Sequence, residues 1–439
     1  MTHSTKGFKT PAKWMPVGLV ALFFLALWSA NAQLQTAPEP GLRVARTSGN
    51  FIVTFRPGTS QVDRAAAVRR TGAVLRFNYS IVDAVAITGA GVNEIAALQR
   101  EISVLEIIPD RPVQAFGQTV PAGVTRIGAA PVTGSLDGTG IGVAIVDTGM
   151  DFSHADLAPD PSNWYTAFGT SCQDDHGHAT HVAGIVAALN NDQDVVGVAP
   201  ASKLYCVKVL DQDGFGSDAT VIAGLNWIYQ NGNLVTPAIR VVNMSLGRTG
   251  SLNDNSAYRN AVKKLYNAGI VIVVAAGNNP SKEVKNMVPA TYPEVMAVAS
   301  TSALDGTNAG CSSFTGTIKA DTASYFTTDG KFDTRRNIGV TISVPGETQE
   351  NVTADCYATS VGILSLSLGG GTTSMSGTSM ASPHVAGIVA LLMQSGLSGV
   401  ETIRSTIRNN ADRKGTAPLN SPTSGYTYDR EREGIAQSP

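Results

Sequence analysis

Residues 143–149 read Val143-Ala144-Ile145-Val146-Asp147-Thr148-Gly149, an apolar run closed by an aspartate and a glycine turn. A short apolar run bounded by a turn is the pattern of a strand buried on both faces. The pattern recurs downstream. Strands are predicted at Ile141 to Val146, Lys203 to Leu210, Val241 to Ser245, Ile270 to Ala275 and Val295 to Ser300. Helices are predicted between them at Thr180 to Leu189, Ala219 to Tyr229 and Tyr258 to Ala268. This alternation argues for an α/β architecture, a mostly parallel central sheet with helices on both faces. Active sites of such folds gather at the carboxyl ends of the strands, which is where Asp147 falls.

Two further stretches carry chemistry. Asp175-His176-Gly177-His178-Ala179-Thr180-His181-Val182-Ala183-Gly184 sets three of the chain's six histidines within six residues, at the opening of a helix. A metal site is one reading of that cluster, but the glutamate of an H-E-x-x-H site is missing. Ser376-Gly377-Thr378-Ser379-Met380-Ala381-Ser382-Pro383-His384-Val385-Ala386-Gly387 sets a serine between a glycine turn and an apolar helix, with Pro383 read in the first turn. A serine at a helix N-terminus sits in a field that favours developing negative charge. The Gly-x-Ser-x-Gly elbow of lipases does not fit, because position 381 is alanine. Taken singly, each residue also reads as ordinary structure: a solvated strand-end carboxylate, a packed histidine, a helix-capping serine.

Together, in the order Asp…His…Ser, these stretches resemble the subtilisin family, the subtilases. The match from Gly377 to Gly387 is the most specific. That of Thr180 to Gly184 sets the register, so the resemblance implies Asp147, His178 and Ser379 as catalytic triad, with His178 rather than His176 or His181 as the base. Ala179 departs from the family, which has glycine there. Val271 to Asn278 reads as a buried strand ending in Gly-Asn. There the resemblance implies Asn278 as a donor to the oxyanion, beside the Ser379 N–H.

The same resemblance implies a substrate cleft and a calcium site. An extended peptide would lie between Gly214-Phe215-Gly216 and Ser245-Leu246-Gly247, held by backbone hydrogen bonds. Ala276 and Gly277 would wall the main pocket, with large apolar or aromatic side chains preferred before the cut and Phe215 and Arg248 narrowing the rim. Structural Ca²⁺ would be held by Gln118, Asp156, Leu189, Asn191, Gln193 and Val195, an oxygen set of the kind this ion takes.

Upstream, strands at Phe51 to Phe55, Ala73 to Phe77, Ala84 to Ile87 and Val104 to Ile108, with helices at Val62 to Thr71 and Asn93 to Arg100, give the order βαββαβ. That is a small α+β, ferredoxin-like unit. By resemblance, residues 33–116 are a propeptide whose inhibitor-like part is 43–116, the cut falls after Phe116, and residues 117–411 are the peptidase domain. An independent, permanently attached domain is the alternative. Residues 412–439 read as a polar, loosely attached tail. Lys6, Lys9 and Lys13, an apolar run from Trp14 to Trp28, and Ala30-Asn31-Ala32 make residues 1–32 a secretory signal peptide. A retained anchor is disfavoured by the short run.

The composition is that of an ordinary globular protein. The 439 residues carry a net charge of −2, which offers no basic face for nucleic acid. Cys172, Cys206, Cys311 and Cys356 allow three pairings in an exported protein, and we expect local ones, Cys172–Cys206 and Cys311–Cys356. The stretch between Cys311 and Gly371 is longer than the family's, although Ser343 to Gly346 resembles one of its turns. The expectation is a secreted, monomeric serine endopeptidase acting on proteins and cutting off its own propeptide, which inhibits it. Another acyl hydrolase, or a non-catalytic binding protein on the same scaffold, are the rival classes.

Overall fold

A computed structural model describes residues 49–110, 117–414, 417–424 and 431–439. The expected signal peptide and the maturation cut at Phe116 lie outside these residues.

The N-terminal domain runs β1 (Phe51–Phe55), α1 (Gln61–Thr71), β2 (Val74–Asn78), β3 (Ala84–Thr88), α2 (Val92–Leu98) and β4 (Val104–Pro109). Its sheet has the order β2-β3-β1-β4 with every pairing antiparallel, as the βαββαβ reading requires. Val53, Phe55, Val85 and Ile87 turn to α1 and α2 and form its core with Val68 and Leu98. On the opposite face Phe77, Ala86, Ile52 and Ile108 stand in register across all four strands.

The larger unit opens with α3 (Ala122–Arg126), β5 (Gly142–Asp147), β6 (Tyr165–Thr166), α4 (His178–Ala187), β7 (Lys203–Lys208) and α5 (Asp218–Asn231). It continues through β8 (Ile239–Met244), β9 (Arg248–Thr249), α6 (Ser256–Asn267), β10 (Val271–Ala275), β11 (Met287–Val288) and β12 (Met296–Ser302). It closes with β13 (Val340–Glu347), β14 (Gln349–Val352), β15 (Ala358–Val361), β16 (Ile363–Leu366), β17 (Thr372–Met375), α7 (Thr378–Gln394) and α8 (Val400–Asn409). Seven strands form one sheet in the order β13-β12-β10-β8-β5-β7-β6, all paired in parallel.

The apolar runs explain the two layers. Along β5, Val143 and Ile145 face the core shared with α4 and α7. Ala144 and Val146 face the opposite core, shared with α5 and α6. A strand covered on both sides needs apolar residues on both faces, and β5 supplies them from Val143 to Val146. Both expected disulfides are present. Cys172–Cys206 ties the loop before α4 to β7, and Cys311–Cys356 staples the long segment after β12 to the β14–β15 hairpin.

The C-terminal segment departs from the expectation of a loose tail. Ile435 and Ala436 are fully buried. The Ser343 N–H donates to the Gly434 carbonyl at 3.2 Å, and the Ala436 N–H to the Ser343 carbonyl at 3.0 Å. The Ser438 N–H reaches the Ile127 carbonyl at 2.8 Å. The physical reason is that β13 is the edge strand of the sheet, and the segment satisfies backbone groups which that edge would otherwise leave open. The polar composition concealed two apolar residues aimed at this edge.

Candidate active site

Asp147 is the last residue of β5 and is fully buried. Its Oδ1 accepts from the Thr148 N–H at 2.7 Å and stands 2.8 Å from Nδ1 of His178, the first residue of α4. Of the three clustered histidines, His178 is the one so paired. His181 is buried, with Nε2 3.0 Å from the Ile363 carbonyl, and burial pushes its pKa down to about 3. His176 lies beside His178, ring centres 6.2 Å apart, and lines the cleft. Burial acts to lower the His178 pKa, but the charge and hydrogen bond of Asp147, with the charge of Asp174, outweigh it and hold it above the ordinary value.

Asp174 was not singled out in the sequence, yet it builds the loop before α4. Its Oδ1 accepts from the Thr148 hydroxyl at 2.9 Å and from the His176 and Gly177 N–H groups at 3.1 and 3.0 Å. Its Oδ2 accepts from the Thr180 N–H at 2.9 Å and hydroxyl at 2.6 Å. Burial would raise the Asp174 pKa, but these bonds overcome it and hold the group below the usual carboxylate range. It thus caps N–H groups that a helix start leaves without partners. The buried ammonium of Lys208, at the end of β7, joins the same two segments. It donates to the Thr148 carbonyl and, at 2.6 Å, to Asp175.

Ser379 is the second residue of α7, whose N-cap is Gly377. Gly377 has φ 156°, and a Cβ there would stand 3.2 Å from the Asn278 amide nitrogen, so glycine is needed both for conformation and for room. Pro383 is the sixth residue of the helix rather than part of its first turn. Lacking an N–H, it cannot serve the Ser379 carbonyl four residues back. The Ser245 hydroxyl does so instead, at 2.8 Å, and also contacts Asn243 and Ser382. The Ser379 hydroxyl donates to the Ser245 carbonyl at 3.2 Å rather than to His178. Asn278 follows β10, and its carbonyl oxygen accepts from the Thr378 N–H and hydroxyl, each at 2.9 Å. That leaves its amide nitrogen on the side of Gly377 and the cleft.

His178, Ser379 and Asn278 border one cleft of about 640 Å³. Gly214, Phe215 and Gly216 line it, as do Ser245, Leu246 and Gly247, and Ala276 and Gly277, so the expected segments converge. Phe215 is largely exposed at the rim. Arg248 is held by Asp218 at 2.5 Å and Asp254 at 2.8 Å. Met287 and Val288 of β11 also line the cleft, and the sequence reading missed them. A Cβ on Gly277 would meet the Met287 terminal methyl at 2.7 Å, so this side chain lies against the pocket wall. No motif marks it, because the antiparallel pairing of β11 with β9 brings it there.

The residues expected to hold calcium also meet. The Gln118 side-chain amide is ringed by the carbonyls of Leu189 (2.5 Å), Gln193 (3.1 Å) and Val195 (3.1 Å). Asp156 is buried, its Oδ1 has no partner, and burial first, then the nearby Asp194 charge, push its pKa up to about 6. The Val195 N–H donates to the other Asp156 oxygen at 3.2 Å, and the Asn191 side chain accepts from the Gln193 N–H in the same loop. Converging carbonyls beside an unsatisfied buried carboxylate are a donor set that fits a hard cation.

Comparison with known proteins settles the class. The chain belongs to the subtilase family, whose pattern matches residues 138–426. Subtilisin E of Bacillus subtilis (strain 168) is 32% identical over 395 residues, 87% of this chain and 88% of that protein. This span is longer than the stretch from Gly117 onward and so includes part of the N-terminal domain. M-protease of Shouchella clausii (strain KSM-K16) is 33% identical over 329 residues, 74% and 73% of the two chains. Subtilisin DY of Bacillus licheniformis is 36% identical over 279 residues, 63% of this chain and 85% of that one. The chain is a subtilisin-type serine endopeptidase. Among the described residues no helix is long and apolar enough to cross a membrane.

Because Asp174 stabilises the His178 imidazolium, Asp174→Asn is expected to lower the His178 pKa. The imidazole signals, followed by NMR titration, would then move at lower pH than in the wild type. An unmoved titration would remove Asp174 from the electrostatics of the site.

Proposed function

We propose that the chain is a secreted precursor whose residues 117–411 hydrolyse peptide bonds through Asp147, His178 and Ser379. The observation that carries this is the 2.8 Å pair of buried Asp147 and His178 opening on the cleft that Ser379 borders from a helix N-terminus. The Ser379 hydroxyl leaves the Ser245 carbonyl, gives its proton to His178 Nε2 and attacks the substrate carbonyl. Asp147 holds the Nδ1–H tautomer and balances the imidazolium. The oxyanion receives hydrogen bonds from the Asn278 amide and the Ser379 N–H. His178 passes the proton to the departing amine, and water releases the acyl group by the same route.

The N-terminal domain acts as an intramolecular inhibitor, removed by a cut after Phe116. Its opposite sheet face, with Phe77, Ile52 and Ile108 in register, provides an apolar surface for that role. Residues 1–32 direct export, and the mature enzyme is a monomer acting on protein substrates. Intact mass of the expressed precursor, beside Ser379→Ala, tests the scheme. The wild type is expected to lose residues through Phe116 and to clear casein. The variant keeps them and loses activity by on the order of 10⁶-fold, the loss known for a subtilisin without this serine. Identical processing of both, or activity in the variant, would overturn the assignment.

The side chain before the cut enters between Ser245–Gly247 and Ala275–Gly277, with large apolar and aromatic groups preferred and Met287 limiting the depth. Met287→Ala should raise kcat/KM for phenylalanine substrates relative to alanine substrates by roughly tenfold or more, since a pocket discriminates by a few methylenes at this scale. An unchanged ratio in a peptide series would place Met287 outside the pocket.

Structural calcium would be held by the Gln118, Asp156 and Asn191 side chains and by the carbonyls of Leu189, Gln193 and Val195, and these residues would thereby tie the 189–195 loop to the start of the mature chain. Calcium at a hundred times its dissociation constant stabilises by about 2.7 kcal/mol. The melting temperature should therefore rise with calcium in the wild type and stay flat in Asp156→Asn. Equal responses would count against the site.

A further inference from the structure

The longer segment after β12 ends in a cluster that the chemistry above does not use. Glu347, the last residue of β13, and Glu350, in β14, are both fully buried. Among the described residues neither takes part in an ion pair. They are brought together through Ser360, which stands opposite Glu350 across the β14–β15 pair and donates its hydroxyl to Glu347. Glu350 accepts from the Thr423 hydroxyl at 2.5 Å and the Tyr325 N–H at 3.1 Å. Glu347 Oε2 accepts from the Ser360 hydroxyl, whereas its Oε1 has no partner. Ser324, bonded to Ser300 at 2.7 Å, also bears on Glu347.

Two links join this cluster to the nucleophile. The Ser360 hydroxyl lies 2.7 Å from that of Ser376, three residues before Ser379. The Gly377 N–H donates to the carbonyl of Gly346, the neighbour of Glu347, at 3.0 Å. We propose that Glu347 and Glu350 share one proton and act as positioning residues for the turn that presents Ser379.

Two ionised carboxylates cannot remain in contact away from water, so one proton between them is the arrangement that keeps both buried. A bound cation is disfavoured by the lone pairs. Glu350 and Glu347 Oε2 are already committed to hydroxyl and N–H donors, and a single free oxygen falls far short of the six to eight that calcium takes. Burial first, then each other's charge, holds Glu347 above the usual carboxylate range, and burial raises Glu350 likewise. Among the described residues Tyr325 also faces the pair, and burial and these two charges raise it.

Loss of the shared proton to solvent drives one carboxylate out of the contact. That movement pulls on Ser360 and Gly346, and through them on Ser376 and Gly377. The folded pair binds its proton more tightly than the unfolded chain does. Its stabilisation is therefore complete below the unfolded carboxylate range and is lost as pH rises through the folded value. Catalysis should follow the same course, with kcat falling while KM holds, since the substrate-binding segments are not in this chain of contacts.

The test measures kcat and KM of enzyme produced from the full precursor, from mildly acidic pH through neutral to alkaline pH, because Glu347 is raised to about 7. It compares the wild type with Glu347→Gln, Glu350→Gln, Glu347→Ala and Ser360→Ala, with melting curves at each pH. Casein cleavage by the wild type at neutral pH establishes the peptidase separately. Each glutamine variant can keep a hydrogen bond between the two groups with no shared proton to lose, so both should remove the fall in kcat and in melting temperature near neutral pH or move it to higher pH. Glu347→Ala should not reproduce that rescue. Ser360→Ala should keep the pH dependence of melting but weaken that of kcat. A fall near neutral pH that is unmoved in both glutamine variants, or carried by KM alone, would overturn the proposal. So would a chelator effect on melting that Glu347→Gln abolishes, since a cation would then hold the pair.

Discussion

The carboxylate of Asp174 links the end of β5 to the beginning of α4, and the geometry of the site follows from that link. Its two oxygens receive bonds from Thr148, His176, Gly177 and Thr180. Asp147 precedes one of these residues and His178 lies among the others, so the 2.8 Å contact of Asp147 with His178 is set by neighbours rather than by the pair itself. Lys208 adds a second tie between the same segments, and Cys172–Cys206 anchors the loop to β7. A disulfide of this kind contributes roughly 2–4 kcal/mol through the unfolded chain. The charge of Asp174 has a further effect, because it supports the protonated form of the histidine it positions.

The serine side of the cleft is organised by an omission. Pro383 removes one helical hydrogen bond, and the freed Ser379 carbonyl takes the Ser245 hydroxyl instead. Ser245 also belongs to the segment expected to bind substrate. The helix that carries Ser379 and the edge that would hold the peptide are thereby joined by a short hydrogen bond. Asn278 is fixed from the same side, because Thr378 occupies its carbonyl oxygen and so determines which way its amide points.

The β14–β15 hairpin and the C-terminal segment are tied together and to the sheet edge. The β14–β15 hairpin is stapled by Cys311–Cys356, and Cys311 packs in a small core of its own with Ile318 and Val352. The C-terminal segment lies along β13, where an open strand edge would otherwise expose backbone donors and acceptors. Glu350 of the hairpin bonds Thr423 of that segment, so the two additions also hold each other. Buried acids, rather than apolar side chains alone, make several of these contacts.

Period and order in the sequence were enough for the architecture. A strand covered on both faces is largely apolar, so β5, β8 and β10 announced themselves, and the βαββαβ order of the N-terminal domain did the same. Asp147, His178, Ser379 and Asn278 were legible because each stands at a strand end or helix start, within a local motif whose spacing is readable along the chain. Other features depended on contacts between distant segments, which leave no local pattern. Met287 reaches the cleft because β11 pairs with β9, Asp174 matters for the donors that converge on it, and Ile435 and Ala436 are buried because β13 has a free edge. Side-chain identity and local period are properties of neighbours in sequence, whereas burial, hydrogen-bond convergence and the sharing of a proton are decided by what the fold brings together.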